Sequence, residues 1–395
     1  MKNFDFRIFI FVLIAISIYI IGNYYVGSRL MERIQFKYEL NAKVFWIIFW
    51  IIAFTYVVNQ IAGDYLPSYI ANPILYVGIY YVAILSYLMV IFPIFDMVRF
   101  VNSKYSFLPK HVVANNNFNF YLTIFLGLVI GTILIYGTWS GRSSYVKAYD
   151  VKIAKTLKLD NLKIALISDI HLGDYMDIKR LKALVNEVNE MKPDIVLIAG
   201  DLIDSSIKPF VDNKMAKEVG RLTSTYGTYF SFGNHDLGKK ADQLTRLLTE
   251  QGVTVLKDDY RLIDDSFYVV GREDVAIERM GGSRKALKDI TEPLDKTKPV
   301  IVIDHNPKDI SEARNEKVDL QVSGHTHNGQ FIPYNFLVNR GYDMVYGFDA
   351  MEDFNIVVSS GYGTWGPPIR IGSRSEIVQI NLTSNVNFVE KDAAR

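Results

Sequence analysis

The sequence predicts a chain in two parts: an α-helical, membrane-spanning first third, then an α/β domain in which buried strands alternate with amphipathic helices. Three observations predict it. Uncharged apolar runs occupy 8–27, 44–63, 74–95 and 119–139, each about 20 residues long and so long enough to cross a bilayer as a helix. From about Arg142 onward charged residues return at regular intervals. Beyond that point short continuous apolar runs, typical of strands buried on both faces, repeatedly end in clusters of aspartate, asparagine and histidine. Two domains are therefore expected, over 1–141 and 142–395.

Composition narrows the chemistry. Half of the 395 residues are apolar, which leans toward a membrane protein. The chain has no cysteine, so disulfides, thiolate metal sites and cysteine nucleophiles are excluded, and any metal must be held by nitrogen and oxygen ligands. A formal net charge of +1, without any lysine- or arginine-rich run, argues against nucleic acid as a partner. No protein partner is indicated.

Within the first part, Tyr24, Tyr25, Trp46, Tyr136 and Trp139 lie near the ends of the runs, where aromatic residues anchor helices at the interface. Lys2 and Arg7 precede the first run as they would in a signal peptide, but no small-residue cleavage pattern follows, so the run is expected to be retained. Arg29, Arg33, Lys37 and Lys43 follow the first run, and Arg99, Lys104 and Lys110 follow the third, while the loop between the second and third carries no basic residue. Positive loops stay cytoplasmic. The expectation is a multi-pass protein of the cell membrane with its second domain extracytoplasmic, although Arg142, Lys147, Lys152, Lys155 and Lys158 pull the other way.

In the second part, Tyr145 to Leu159 alternates weakly and is expected to supply an edge strand. Ile164 to Ile167 is a buried strand running into Ser168, Asp169 and His171. Asp177 caps a helix whose apolar positions Ile178, Leu181, Leu184, Val185, Val188 and Met191 keep the 3.6-residue period until Pro193. Ile195 to Ala199 is a second buried strand, ending in Gly200 and Asp201. A helix is expected over Val211 to Thr223, then a strand from Thr228 to Phe232 ending in Gly233, Asn234, His235 and Asp236. Val300 to Ile303 leads to Asp304, His305 and Asn306, and Val318 to Ser323 leads to Gly324, His325, Thr326 and His327. Asn355 to Ser359 and Ile377 to Leu382 are further strands, flanking a Gly-rich loop from Gly361 to Gly366 that is followed by Pro367, Pro368, Ile369 and Arg370.

Five of the six histidines, at 171, 235, 305, 325 and 327, terminate predicted strands. His111, alone in a basic loop, reads as an ordinary surface residue. Together with Asp169, Asp201 and Asn234, the five supply enough oxygen and nitrogen ligands for two divalent ions sharing one carboxylate.

These motifs resemble the calcineurin-like metallophosphoesterase superfamily. The ordered set is Asp169-Ile-His171, Gly200-Asp201-Leu-Ile-Asp204, Gly233-Asn234-His235-Asp236, a single His305, and Gly324-His325-Thr326-His327. With the membrane-spanning first part, Gly329-Gln330 and the segment from Gly361 to Arg370, the chain is most similar to bacterial transmembrane members of the YkuE and YaeI type. The resemblance implies a four-layer αββα sandwich of two mixed sheets, where strand and helix alternation alone is equally compatible with a doubly wound sheet.

It also implies roles. Asp169, His171 and His327 would bind one metal and Asn234, His305 and His325 the other, with Asp201 bridging. The two cations would be manganese, iron or zinc, and would activate a water and clamp phosphate oxygens for in-line hydrolysis. His235 would stabilise charge or protonate the leaving oxygen, with Asp236 orienting its ring. Asp204 is either a support of the ligands or a turn carboxylate, and Arg370 either a phosphate clamp or a surface residue. Four helices exceed what an anchor requires, and the short link from Trp139 to Ile164 keeps the second domain close to the bilayer. The expected substrate is therefore a phosphodiester or pyrophosphate on a lipid or lipid-linked sugar, of the UDP-diacylglucosamine kind. The alternatives are a broad-specificity phosphodiesterase or protein phosphatase that is merely tethered and, in a different class, a membrane receptor whose phosphoesterase-like domain only binds a ligand.

Overall fold

The computed structural model describes residues 6–35, 37–109 and 116–384. Lys2, Lys110 and His111 lie outside the described residues. The chain divides into two compact units, Met1–Tyr136 and Gly137–Arg395.

The first unit is helical. α1 (Phe6–Gln35), α2 (Ala42–Ala62), α3 (Ser68–Tyr105) and α4 (Asn116–Arg142) include four stretches long and apolar enough to cross a membrane. Two of the helices, α1 and α3, run well past their apolar runs, so Arg29, Arg33, Arg99 and Lys104 sit on helical turns rather than in loops. Polar contacts at those turns explain the extension. Asp96 of α3 accepts from Tyr25 Oη at 2.6 Å and Arg29 Nε at 3.0 Å, and Glu32 pairs with Arg29 at 2.9 Å and Arg99 at 3.4 Å. Much of the apolar surface of α2 stays exposed.

The second unit is built on twelve strands: β1 (Tyr145–Ile153), β2 (Leu162–Ile167), β3 (Ile195–Ala199), β4 (Thr228–Ser231), β5 (Val253–Val255), β6 (Asp259–Ile263), β7 (Phe267–Gly271), β8 (Val300–Ile303), β9 (Leu320–Ser323), β10 (Gly347–Met351), β11 (Phe354–Val358) and β12 (Glu376–Ser384). They form two six-stranded sheets, ordered β1-β12-β2-β3-β4-β5 and β10-β11-β9-β8-β7-β6. β2, β3, β4 and β5 run parallel, as do β7, β8, β9 and β11, while β12 lies antiparallel to β2, and β6 and β10 close their sheet as antiparallel edges. Both sheets are thus mixed.

Three apolar clusters set the layers. Ile164, Leu166, Ile195 and Leu197 of the first sheet meet Phe267, Val269, Ile301, Ile303, Leu320 and Val322 of the second in the central core. On the outer face of the first sheet, Ala165, Ile167, Val196 and Ile198 pack on Leu181, Leu184, Val185 and Val188 of α5 (Ile178–Glu190). On the outer face of the second, Val270, Val302 and Ile356 pack on Leu287, Ile290, Ile310 and Ala313. This is the four-layer αββα sandwich, not a doubly wound sheet. Every strand that meets helices on one side and the other sheet on its opposite side must be apolar on both faces, which is why β3 and β8, and β2 from Ile164 onward, read as unbroken apolar runs.

Asp177 caps α5 as expected, accepting from the N–H groups of Lys179 and Arg180 at 3.0 Å. The helix expected over Val211 to Thr223 is instead two short ones, Lys208–Asp212 and Met215–Val219. Lys214 between them has a φ of 51°, a left-handed conformation that no α-helix can carry through.

Candidate metal centre

The site lies at the carboxyl ends of β2, β3 and β4 in one sheet and β8 and β9 in the other, where each strand stops and its next few residues turn over the sheet edge. Five of the seven expected ligands, Asp169, His171, Asp201, His325 and His327, have φ between 50° and 70°. Left-handed backbone at a residue other than glycine costs roughly 1–3 kcal/mol, and it concentrates at sites where the surrounding structure enforces it. At Gly324 a Cβ would stand 2.2 Å from Asp169 Oδ2, so only glycine lets the last turn approach the first.

Among the described residues three groups of three ligand atoms result, each within 4.8 Å: Asp169, His171 and His327; Asp201, His305 and His325; and His171, Asp204 and His235. In the first, His171 Nε2 faces His327 Nε2 at 3.1 Å, and His327 Nε2 lies 3.3 Å from Asp169 Oδ1. In the second, His305 Nε2 lies 3.1 Å from Asp201 Oδ2 and 3.3 Å from His325 Nδ1. Asp201 Oδ2 is also 3.8 Å from His171 Nε2, so this carboxylate stands between these two groups. Its Oδ1 accepts the N–H of His235 at 2.8 Å. His305 Nδ1 donates to Ala199 O at 2.8 Å, which fixes the ring and turns its Nε2 toward Asp201.

Asn234 Oδ1 is buried and has no hydrogen-bond partner. A buried amide oxygen without a partner, in the turn that carries His235, together with ring nitrogens that turn on one another and buried carboxylates, is the donor set of hard to borderline divalent cations. The residues present fit such ions.

Burial works against charge on His305, yet Asp201 and then Asp169 raise it well above the ordinary imidazole value; burial likewise works against charge on His171, which Asp204 and Asp201 raise. Burial works against the charge on Asp201, yet His305 and His171 hold its carboxyl well below the carboxylate range. Burial lowers His327, helped by His171 and Arg370, and burial with the neighbouring His305 lowers His325 to about 4, so both imidazoles are neutral and able to ligate. His235 is lowered too, by burial and then by His171.

His235, half-buried, does not lean on Asp236 as expected. Its Nδ1 donates to the carbonyl oxygen of Asp204 at 3.0 Å, and the Asp204 carboxylate is 3.8 Å from that nitrogen and 3.4 Å from His171 Nδ1. Asp236 is fully buried and accepts the N–H groups of Gly233, Ile203 and Leu202 at 3.0 to 3.3 Å, stitching two ligand-bearing turns together. Burial and the charge of Asp201 push its carboxyl up to about 6.

Arg370 is neither at the surface nor free to clamp phosphate. It is fully buried and donates to the carbonyl oxygens of Ser360, Gly361 and Gly363 at 2.7, 3.1 and 2.6 Å, with Nη1 3.4 Å from His327 O. Its side chain is the internal brace of the Gly-rich loop. Two further neighbours were not anticipated. Asp274, fully buried just after β7, has one carboxylate oxygen without a hydrogen-bond partner, and burial raises its carboxyl against the pull of His305 and His325. The ring of Trp365 lies 6.4 Å from that of His235. Asp274 carries the same strand-end signal as the others, but β7 had not been recognised as a strand.

A family model described as calcineurin-like phosphoesterase matches residues 162–329. The chain is 36% identical over 262 residues to an uncharacterized metallophosphoesterase of Campylobacter jejuni, covering 65% of this chain and 68% of that one. It is 29% identical over 290 residues to a transmembrane protein with metallophosphoesterase domain of Danio rerio, covering 69% of this chain and 65% of that one. It is also 29% identical over 233 residues to the uncharacterized metallophosphoesterase YkuE of Bacillus subtilis, covering 57% and 80%.

Proposed function

Since the chain belongs to the calcineurin-like metallophosphoesterase family, we propose that this phosphoester hydrolase works with two divalent cations and cleaves a phosphodiester or pyrophosphate carried on a lipid or lipid-linked sugar. The observation that carries the two-metal reading is the position of Asp201, whose Oδ2 faces His305 of one group at 3.1 Å and His171 of the other at 3.8 Å. In this reading Asp169, His171 and His327 would hold one cation and Asn234, His305 and His325 the other, with Asp201 serving each. Such cations supply Lewis acidity toward phosphate oxygens and toward water.

His235 then acts on the leaving group. Its Nδ1 proton is committed to Asp204, so Nε2 is the atom that exchanges a proton with substrate. Asp204 holds the ring, and Asp236 holds the turn that presents it.

Four helices long and apolar enough to span a bilayer support the membrane-bound substrate. So does the connection that follows them, since α4 ends at Arg142 and β1 begins at Tyr145. A phosphoester embedded in the same bilayer would be present at high effective concentration. By the distribution of basic residues, this reading places the catalytic unit outside the cytoplasm.

The test uses full-length protein in detergent. Hydrolysis of an aryl phosphodiester is expected with Mn2+ and not with chelator, and mass spectrometry of a treated membrane-lipid extract should show depletion of a phosphate-containing lipid. Activity in chelator would remove the metal reading; an untouched lipid extract beside active diester hydrolysis would remove the lipid reading.

A further inference from the structure

The chain leaves the metal-ligand cluster by a path that a purely water-facing active site does not require. From His327 it makes one short helical turn to Gly329, passes Gln330 and Phe331, and enters a segment ending in the short helix Asn335–Val338. Along that segment Ile332 and Tyr334 are each 41% exposed, Phe336 62% and Leu337 64%. Trp365, on the Gly-rich loop, is 57% exposed. Gln330 locks the two segments together: its Nε2 donates to Trp365 O at 2.9 Å and Pro367 O at 2.8 Å, and its Oε1 accepts from Trp365 N at 2.8 Å. Large apolar side chains are thus held outward within a few residues of His327, and the indole among them stands beside His235. Elsewhere in this unit, among the described residues, the exposed large apolar residues Trp139, Val146, Val211, Leu262 and Met280 are scattered singly along the sequence. Single exposed apolar residues are ordinary, whereas a group rimming a reactive site marks something apolar that binds there.

We propose that Ile332, Tyr334, Phe336, Leu337 and Trp365 form the surface that receives the hydrocarbon part of an amphiphilic phosphoester whose phosphate enters the metal-ligand cluster. This rests on the phosphoesterase reading above and names the part of the protein that would select a lipid. Lipid rather than a peptide is favoured by the neighbouring segment Gly137–Arg142, the closing turns of the apolar stretch Asn117–Arg142 and a part of the catalytic unit. A Cβ at Gly137 would stand 2.9 Å from the side chains of both Ile369 and Ile371, and Gly137 O accepts from Arg370 N at 2.9 Å. Ile371 in turn accepts the N–H of Ile332 at 3.1 Å. The rim is therefore one backbone hydrogen bond from the segment against which the end of an apolar helix packs. Its tryptophan, tyrosine and phenylalanine are residue types that settle at a lipid interface.

The test is inhibition of metal-dependent aryl phosphodiester hydrolysis, by full-length protein in detergent, with n-alkyl phosphates from butyl to decyl. Inorganic phosphate reads the headgroup alone and normalises the proteins to one another. In the wild type the inhibition constant should fall roughly twofold or more per added methylene, because each methylene leaves water. In the Phe336→Ser/Leu337→Ser double variant, the dependence on chain length should fall to less than half of that. If the double variant does not fold, Leu337→Ser alone is compared in the same way, with a smaller loss of slope expected. Inhibition independent of chain length in the wild type, or an equal slope in both proteins, would overturn the rim as a hydrocarbon site, and in particular if an apolar peptide inhibited better than decyl phosphate. Absence of any metal-dependent hydrolysis would count against the parent reading instead, and the chain-length series would then be read by direct calorimetric binding.

Discussion

His235 and Asp204 are joined twice: ring Nδ1 donates to the Asp204 carbonyl oxygen at 3.0 Å, and the Asp204 carboxylate stands 3.8 Å from the same nitrogen. Because that carboxylate is also 3.4 Å from His171 Nδ1, it stands against both the residue proposed to transfer a proton and a proposed metal ligand. The two positions should therefore differ in kind when altered. His235→Ala is expected to lose about 10²–10⁴-fold in turnover while keeping its metal. Asp204→Ala should lose about 10–100-fold in both turnover and metal affinity. Metal content and rate measured on the same samples decide it; an Asp204→Ala protein with unaltered metal affinity would show that its carboxylate does not support His171.

Arg370 is predicted to matter through folding. Arg370→Met would strand the carbonyl oxygens of Ser360, Gly361 and Gly363 without their donor, at a cost of about 3 kcal/mol or more. Arg370→Lys should rescue little, because an ammonium cannot reproduce the planar fork. Thermal unfolding in chelator reads this apart from metal binding. A variant with wild-type unfolding temperature and weakened phosphate inhibition would return Arg370 to the role of phosphate clamp.

The turn that precedes His305 is held by a second charged group. Arg272 donates to Glu312 at 2.6 Å and approaches Asp304 at 3.4 Å, and Glu312 also accepts the N–H of Leu287 at 2.7 Å. Partial burial works against the Glu312 charge, but the Leu287 N–H and Arg272 hold its carboxyl below the ordinary 4.5. A lowered carboxyl contributes stability that is fully present above the unfolded value and is lost as pH falls through the folded one. Glu312→Gln should unfold below the wild type at pH 7, and the gap should close as pH falls below about 4.5. A gap that is constant down to pH 3 would mean that charge is not its source.

Membrane orientation is open to a direct test because the chain has no cysteine, which makes any introduced thiol unique. Lys208→Cys, exposed on the catalytic unit, should react with an impermeant maleimide in intact cells. Ser103→Cys, exposed near the end of α3, should react only after lysis. The reverse pattern would put the catalytic unit in the cytoplasm.

The cluster of candidate ligands was legible in the sequence because each of these residues follows a buried strand closely, so the apolar run and its polar ending are adjacent in the chain as well as in space. What was hidden depends on distance across the fold. That Asp236 caps backbone N–H groups, and that Arg370 is enclosed, follows from which turns meet, not from residue type. The left-handed backbone at Asp169, His171, Asp201, His325 and His327 leaves no mark in composition. β6 and β10 are partly exposed edge strands without clean alternation, and β7 escaped notice beside them. The full length of α1 and α3 does not show in the sequence because their final turns are stabilised by ion pairs between the helices, whereas the apolar runs stop short of them.

The central claim is that one carboxylate, Asp201, joins two metal-ligand groups into a single hydrolytic centre. The most direct measurement is metal content per chain, alongside aryl phosphodiester turnover, for wild type and Asp201→Asn after loading with Mn2+ and removal of free metal. The account predicts about two metals per wild-type chain and a metal-depleted Asp201→Asn protein with activity lower by ~10³-fold or more, the loss of a central electrostatic group. Full activity and full metal content in Asp201→Asn would contradict it.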